Sequence, residues 1–170
     1  MSDLMVGSSS NVRSGAYFIV RSIGECRCCR ASTPVIALAL GPEHETLSTD
    51  ADDEQGDSIP DIWETAACNA LLFYVETLPD SVQRRLAEFS QTYRYACSAE
   101  TQGSYWANHC LRCGSLLEDH DLFCEPDGAF LPMSGASTSD LELIWIDEPI
   151  EAVAGGYSCD PVFFAAAIGT

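Results

Sequence analysis

The sequence predicts a single α+β domain in which two β-hairpins each carry a cysteine turn, one helix packs against them, and an acidic loop is inserted between them. Three observations carry this prediction. Cys-x-x-Cys occurs twice, at Cys26/Cys29 and Cys110/Cys113, each time between strand-like segments. After Pro79, the residues Val82, Leu86 and Phe89 recur at helical spacing, with Gln83, Arg84, Arg85 and Glu88 on the opposite side. Between the two cysteine pairs, residues 41–61 carry eight carboxylates and no basic side chain (Glu43, Glu45, Asp50, Asp52, Asp53, Glu54, Asp57, Asp61).

In chain order, residues 1–15 are rich in Ser, Gly and Asn and read as a flexible leader. Residues 16–23 and 33–40 are β-prone runs around the first cysteine turn, which is the outline of a hairpin. The acidic segment 41–61 reads as an irregular loop because Gly, Pro and Ser interrupt it. Residues 62–77 are ambiguous, since Ile62, Thr65, Ala66 and Asn69 fit the start of a short helix while 71–75 is apolar and β-prone, and a strand over 71–76 is favoured. Pro79-Asp80-Ser81 opens the helix. Residues 105–109 lead as a strand into the second cysteine turn, 115–123 lead away from it, and 141–146 form a later strand. The domain spans 16–150, and 151–170 reads as a C-terminal tail.

At 170 residues the chain supports one core, and 46% hydrophobic residues exclude wholesale disorder. Its charge excludes more. Twenty-six acidic residues stand against 8 basic ones, all Arg, for a formal charge of −18, and no basic residue follows Arg112. Duplex binding requires a basic surface that releases counterions, so a nucleic-acid partner is unexpected and a basic protein partner fits better. The apolar runs 34–40 and 162–168 are too short to span a bilayer. Residues 1–11 lack the basic and apolar regions of a secretory signal, and nine cysteines is an odd number. These features predict a soluble cytoplasmic protein whose thiols are reduced and available for metal.

A tight turn with two thiolates about two residues apart points both sulfurs at one ion while backbone amides stabilise their charge, and two such turns complete a tetrahedral site. Cys26, Cys29, Cys110 and Cys113 are therefore the candidate ligands of a structural Zn2+, and the architecture is that of a zinc ribbon. Gly114 sits where such a turn commonly needs a positive φ, and Arg30 holds the equivalent place in the first turn. Cys28 is spaced too closely to Cys26 and is left as a spare thiol. His109 adjoins Cys110, but four thiolates already close the site. His44 and His120 read as solvated, and Cys68, Cys97, Cys124 and Cys159 as small core residues. Arg27, Arg30 and Arg112 lie where they offset the net charge of a four-thiolate zinc centre.

The stretch Tyr105-Trp106-Ala107-Asn108-His109-Cys110-Leu111-Arg112-Cys113-Gly114 resembles one found in uncharacterised bacterial zinc-ribbon-like proteins, which pair an early cysteine knuckle with a later Tyr-Trp-x-Asn-x-Cys-x-x-Cys-Gly. The helix start at Leu78-Pro79-Asp80 and the turn Pro126-Asp127-Gly128-Ala129-Phe130 are similar too. The resemblance covers about residues 16–132. It implies a zinc-ribbon core and no established activity.

No phosphate-binding loop, nucleophile elbow or His-Glu-x-x-His is present, and a closed zinc site leaves no position for an activated water. The expected function is accordingly a non-catalytic, zinc-stabilised acidic module that binds a basic protein, with an immunity protein or inhibitor that neutralises a basic toxin such as a nuclease as its sharpest form. The alternatives are an adaptor or regulatory subunit, a nucleic-acid-binding ribbon, and an enzyme with a carboxylate-based site. The expected partner surface combines Glu118, Asp119 and Asp121 with Trp145, Asp147 and Glu148.

Overall fold

In the computed structural model, residues 10–48, 62–125, 128–131 and 141–159 are described. The fold is mostly antiparallel β with one α-helix, an α+β arrangement. The strands are β1 (Val12–Ser14), β2 (Tyr17–Glu25), β3 (Ser32–Leu40), β4 (Glu45–Ser48), β5 (Ile62–Thr65), β6 (Ala70–Thr77), β7 (Tyr93–Cys97), β8 (Ser104–His109), β9 (Leu116–Leu117), β10 (Glu142–Ile146) and β11 (Ile150–Cys159). They run in the order β10-β2-β3-β6-β11-β1-β4-β5, and β7-β8-β9 joins through β6. Every pairing is antiparallel. Among the described residues, no helix is long and apolar enough to cross a membrane.

Both faces of the sheet are covered over Tyr17–Val20 and Val35–Leu40, and those stretches of β2 and β3 read as continuous apolar runs. On one face, helix α1 (Asp80–Phe89) buries Val82 and Leu86 against Tyr17, Ile19, Leu38, Leu72 and Ile146. Its three apolar positions are those that the spacing predicts. On the other face, Leu117, Leu122 and Phe130 pack on Val20, Val35, Ala37 and Ala39. Leu122 belongs to a single π-turn, His120–Cys124, which follows β9.

Several expectations are corrected. Val12–Ser14, assigned to the leader, is a strand between β11 and β4. Residues 150–159, assigned mostly to the tail, form β11, which pairs with β1 over 150–152 and with β6 over 153–159. Its sequence conceals this because the positions facing β6 include small residues. Tyr74 has φ 51°, and a Cβ added at Gly155 would lie 2.9 Å from the Tyr74 Cβ, so the strand takes glycine where the sheet bulges. Residues 62–65 are a strand rather than a helix start, since they pair with β4. Their partner β4, Glu45–Ser48, lies inside the segment 41–61 expected to be an acidic loop, of which 49–61 fall outside the described residues. His44 is buried, not solvated, with Nδ1 2.7 Å from the Gly41 carbonyl oxygen.

Three of the four isolated cysteines also depart from expectation, and the side chain of Cys159 lies outside what is described. Cys97 and Cys124 are exposed, while Cys68 is half-buried and disulfide-bonded. Titration of denatured, metal-free protein with a thiol reagent is expected to count fewer thiols than the nine cysteines present; nine would show that this bond is absent.

Candidate metal centre

The two Cys-x-x-Cys segments build the same turn twice. In the first, closed by the last β2–β3 pair at Glu25 and Ser32, the Cys26 amide donates to the Ala31 carbonyl at 3.0 Å and the Arg30 amide to the Cys26 carbonyl at 2.8 Å. In the second, beyond the β8–β9 pair His109 and Leu116, the Cys110 amide donates to the Ser115 carbonyl at 2.8 Å and the Gly114 amide to the Cys110 carbonyl at 2.9 Å. The residue after each second cysteine is left-handed, with φ 62° at Arg30 and 77° at Gly114. Glycine adopts that conformation at no steric cost and Arg does not, so the first turn carries about 1 kcal/mol of strain that the second avoids.

These turns bring all four sulfurs within 4.8 Å of one another. Across the turns, Cys26 Sγ is 3.5 Å from Cys113 Sγ, and Cys29 Sγ is 3.6 Å from Cys110 Sγ. A disulfide requires about 2.05 Å, so neither contact is one. With zinc–sulfur bonds of about 2.3 Å, the edge of a regular tetrahedron is about 3.8 Å, close to the separations found here. The donor set therefore fits a tetrahedral thiolate-bound metal in both number and spacing.

The electrostatics point the same way. The Ser115 hydroxyl and amide are the largest causes that bring the Cys113 thiol down to about 6. Backbone amides, first that of Cys113 and then that of Arg112, lower Cys110. At Cys29 the Ala31 amide pulls downward, but burial and the neighbouring thiols together push it up to about 12. Some of the sulfurs ionise readily and one resists, as expected where four negative charges cannot accumulate without a cation among them. The flanking arginines are paired with carboxylates, Arg27 with Asp121 at 3.2 Å and Arg30 with Glu25 at 3.6 Å, so the charge offset expected of them is shared. The Arg112 backbone amide, rather than its side chain, reaches Cys110 Sγ at 3.4 Å.

Two residues join the hairpins below the sulfurs. Asn108, fully buried in β8, accepts from the Ile36 amide through Oδ1 and donates to the Ile36 carbonyl through Nδ2, both at 2.9 Å. It thus substitutes for one rung of a β-ladder between β8 and β3. Thr33 Oγ1 accepts from the Leu111 amide at 3.0 Å. The quoted motif contains Asn108, whereas no sequence signal marks Thr33. His109 turns away from the sulfurs, with Nδ1 3.1 Å from the carbonyl oxygens of Thr92 and of Ala107.

Of the residues expected to form the partner surface, one is buried and three already have side-chain partners. Asp119 is buried, and its Oδ2 accepts from the Tyr74 amide at 2.7 Å, which supports the left-handed residue in β6. Glu118 accepts from Ser98 Oγ and from Tyr105 Oη, the latter at 2.7 Å. Glu148 is held by Arg85. Asp121 is engaged by Arg27, leaving Asp147 and Trp145 as the open members. Trp145 is 56% exposed and sits edge-on to Phe18 at 4.9 Å. His120, Asp121 and Glu125 form a second group of potential ligands, on an exposed turn.

Burial, opposed by the Tyr74 amide, raises Asp119 from 3.8 to about 7. Between those values the folded protein holds a proton that the unfolded chain releases, so this group's stabilisation is complete below pH 4 and is lost as pH rises towards 7. Replacing Asp119 with Asn keeps an acceptor for Tyr74 and removes the titration. The stability difference between wild type and Asp119→Asn, measured by denaturant unfolding with metal bound, is expected to shift against wild type by about 2 kcal/mol from pH 5 to pH 7. A pH-independent difference would rule this out.

Comparison with protein-family models, curated proteins and solved structures finds no match for this chain.

Proposed function

We propose that the protein is a non-catalytic binding module whose zinc ribbon is structural and whose acidic surface engages a basic protein. The observation that carries this reading is the closed four-sulfur cluster: its donors satisfy a tetrahedral ion without a fifth position, so the metal supplies folding energy rather than an activated water. The charge of −18 then supplies long-range attraction for a cationic partner. Its sharpest form is an inhibitor whose carboxylates occupy the phosphate-binding surface of a basic nuclease toxin. A thiolate-bound metal needs reduced sulfurs, which the four cluster cysteines supply, whereas the disulfide of Cys68 runs against the expectation of a reducing cytoplasm. The disulfide of Cys68 does not compete for the cluster, because it adjoins Ala70, which pairs with Leu40 at the end of β3 remote from the first knuckle, about 30 Å away along the nine-residue strand.

The test is a titration of the zinc-loaded protein against a panel of basic nucleases, acidic proteins of similar size, and duplex DNA, repeated across salt concentrations. Binding confined to basic proteins and weakened by salt is the expected result. Tighter binding to DNA than to any basic protein would reverse the reading in favour of a nucleic-acid-binding ribbon.

A further inference from the structure

Helix α1 is too short for the hairpin beneath it. Its ten residues extend about 15 Å, whereas the nine-residue strands β2 and β3 extend about 30 Å. The helix covers Tyr17, Ile19 and Leu38 and stops, so the same sheet face continues beyond it as the floor of an open groove of about 470 Å3. The floor is Arg21, Ile23, Pro34 and Ile36, and Ile23 faces Pro34 across the strands. One wall is the helix end at Phe89, and the other is Leu111 at the tip of the second knuckle. Ile23 and Leu111 are 53% and 64% exposed, apolar surface that no described residue covers.

The carboxylates of this groove are paired but open. Glu142 is held by Arg21 at 3.4 Å and Glu88 by Arg85 at 3.0 Å, yet both carboxylate side chains stay more than half exposed, and such surface pairs are weak enough for a cation to reach them. The last turn of α1 contains no basic residue, so the negative end of the helix dipole at Phe89 and Ser90 is not compensated by one of its own side chains. A whole-chain charge of −18 reinforces the same polarity.

We propose that this groove docks an extended segment of a basic protein partner, with an apolar side chain seated among Ile23, Pro34 and Leu111 and an adjacent Lys or Arg directed at Glu88, Glu142 and the helix end. The proposal rests on the acidic-module reading and assigns it a place. Because Leu111 lies between the ligands Cys110 and Cys113, the bound metal fixes one wall, and groove and metal centre are parts of one unit.

The test uses three short synthetic peptides, one alternating Arg with Leu, one Arg with Ser and one Glu with Leu, titrated into the full zinc-loaded chain by calorimetry. The Arg-Leu peptide is expected to bind at least about tenfold more tightly than either of the others, and to lose about tenfold in Ile23→Glu and in Leu111→Glu. Both positions are exposed, and unchanged zinc stoichiometry and melting temperature will show that the variants are folded. Tyr95→Glu, a change at an exposed aromatic on β7 away from the groove, is expected to bind as wild type does. Failure of the Arg-Leu peptide to bind, or its binding equally to the Ile23 and Leu111 variants, overturns the groove while leaving the acidic module standing. Equal binding of the Glu-Leu peptide overturns both.

Discussion

Stripping the metal with a strong chelator is expected to release the second knuckle from the first and to lower the melting temperature by about 20–40 °C. The magnitude follows from a structural zinc site worth on the order of 10 kcal/mol, comparable with the whole stability of a domain, and from a shift of about 2–4 °C per kcal/mol at this chain length. Beyond the Asn108 and Thr33 contacts at their base, the hairpin tips are open to solvent, with Cys28, Arg27, Leu111 and Arg112 all exposed. Hydrogen exchange should therefore lose protection first at the Cys26 and Cys110 amides and last in the centre of β2 and β3. Serine replacement is expected to follow burial: Cys26→Ser and Cys110→Ser, at buried positions, should be more damaging than Cys113→Ser at the exposed corner. Elemental analysis giving one zinc per chain, and its loss in the serine variants, completes the measurement. A metal-free wild type that melts where the loaded protein does would end the structural-zinc reading.

Which parts of this arrangement could be read from the sequence follows from how local their causes are. The two knuckles are local: four or five consecutive residues fix each turn, and Gly114 supplies the backbone conformation that one of them needs. Helix α1 is legible for the same reason, because Val82, Leu86 and Phe89 repeat at its period and Pro79 marks its start. The strands that escape the sequence depend on distant partners. Val12–Ser14 is too short to show an alternation, and β11 carries Ala152, Ala154, Gly155 and Gly156 where a β-prone sequence would place branched residues. Asp119 was expected at the surface because acidic residues surround it; its burial arises from Tyr74, 45 positions earlier, whose amide at a sheet bulge requires an acceptor. Such a demand leaves no trace in the sequence around either residue. The cluster as a whole is intermediate, since the Cys spacing gives the candidate ligands but not the contacts that bring the two pairs together.

Those contacts make a second large effect accessible. Asn108→Leu is expected to destabilise the protein by about 4 kcal/mol, because it keeps the branched side-chain skeleton but leaves the Ile36 amide and carbonyl, both in a residue only 3% exposed, without the partners they have at 2.9 Å. Each unpaired buried backbone group costs roughly 1–3 kcal/mol, and no ladder strand is positioned to replace Asn108 at this point of β3, whose pairing with β6 begins only at Leu38. Asn108 also lies two residues before Cys110, so the same change removes a brace of the second knuckle and should weaken metal affinity by roughly tenfold, as measured by competition with a chromophoric chelator. Asn108→Asp separates hydrogen bonding from packing. It is nearly isosteric, yet it replaces a donor facing the Ile36 carbonyl with a second acceptor and buries a charge, so it should be at least as damaging as Leu. If the Asp variant is tolerated, or the Leu variant stays within about 1 kcal/mol of wild type with its metal affinity intact, then the thiolate cluster alone holds the hairpins together and the polar bracket beneath it is incidental.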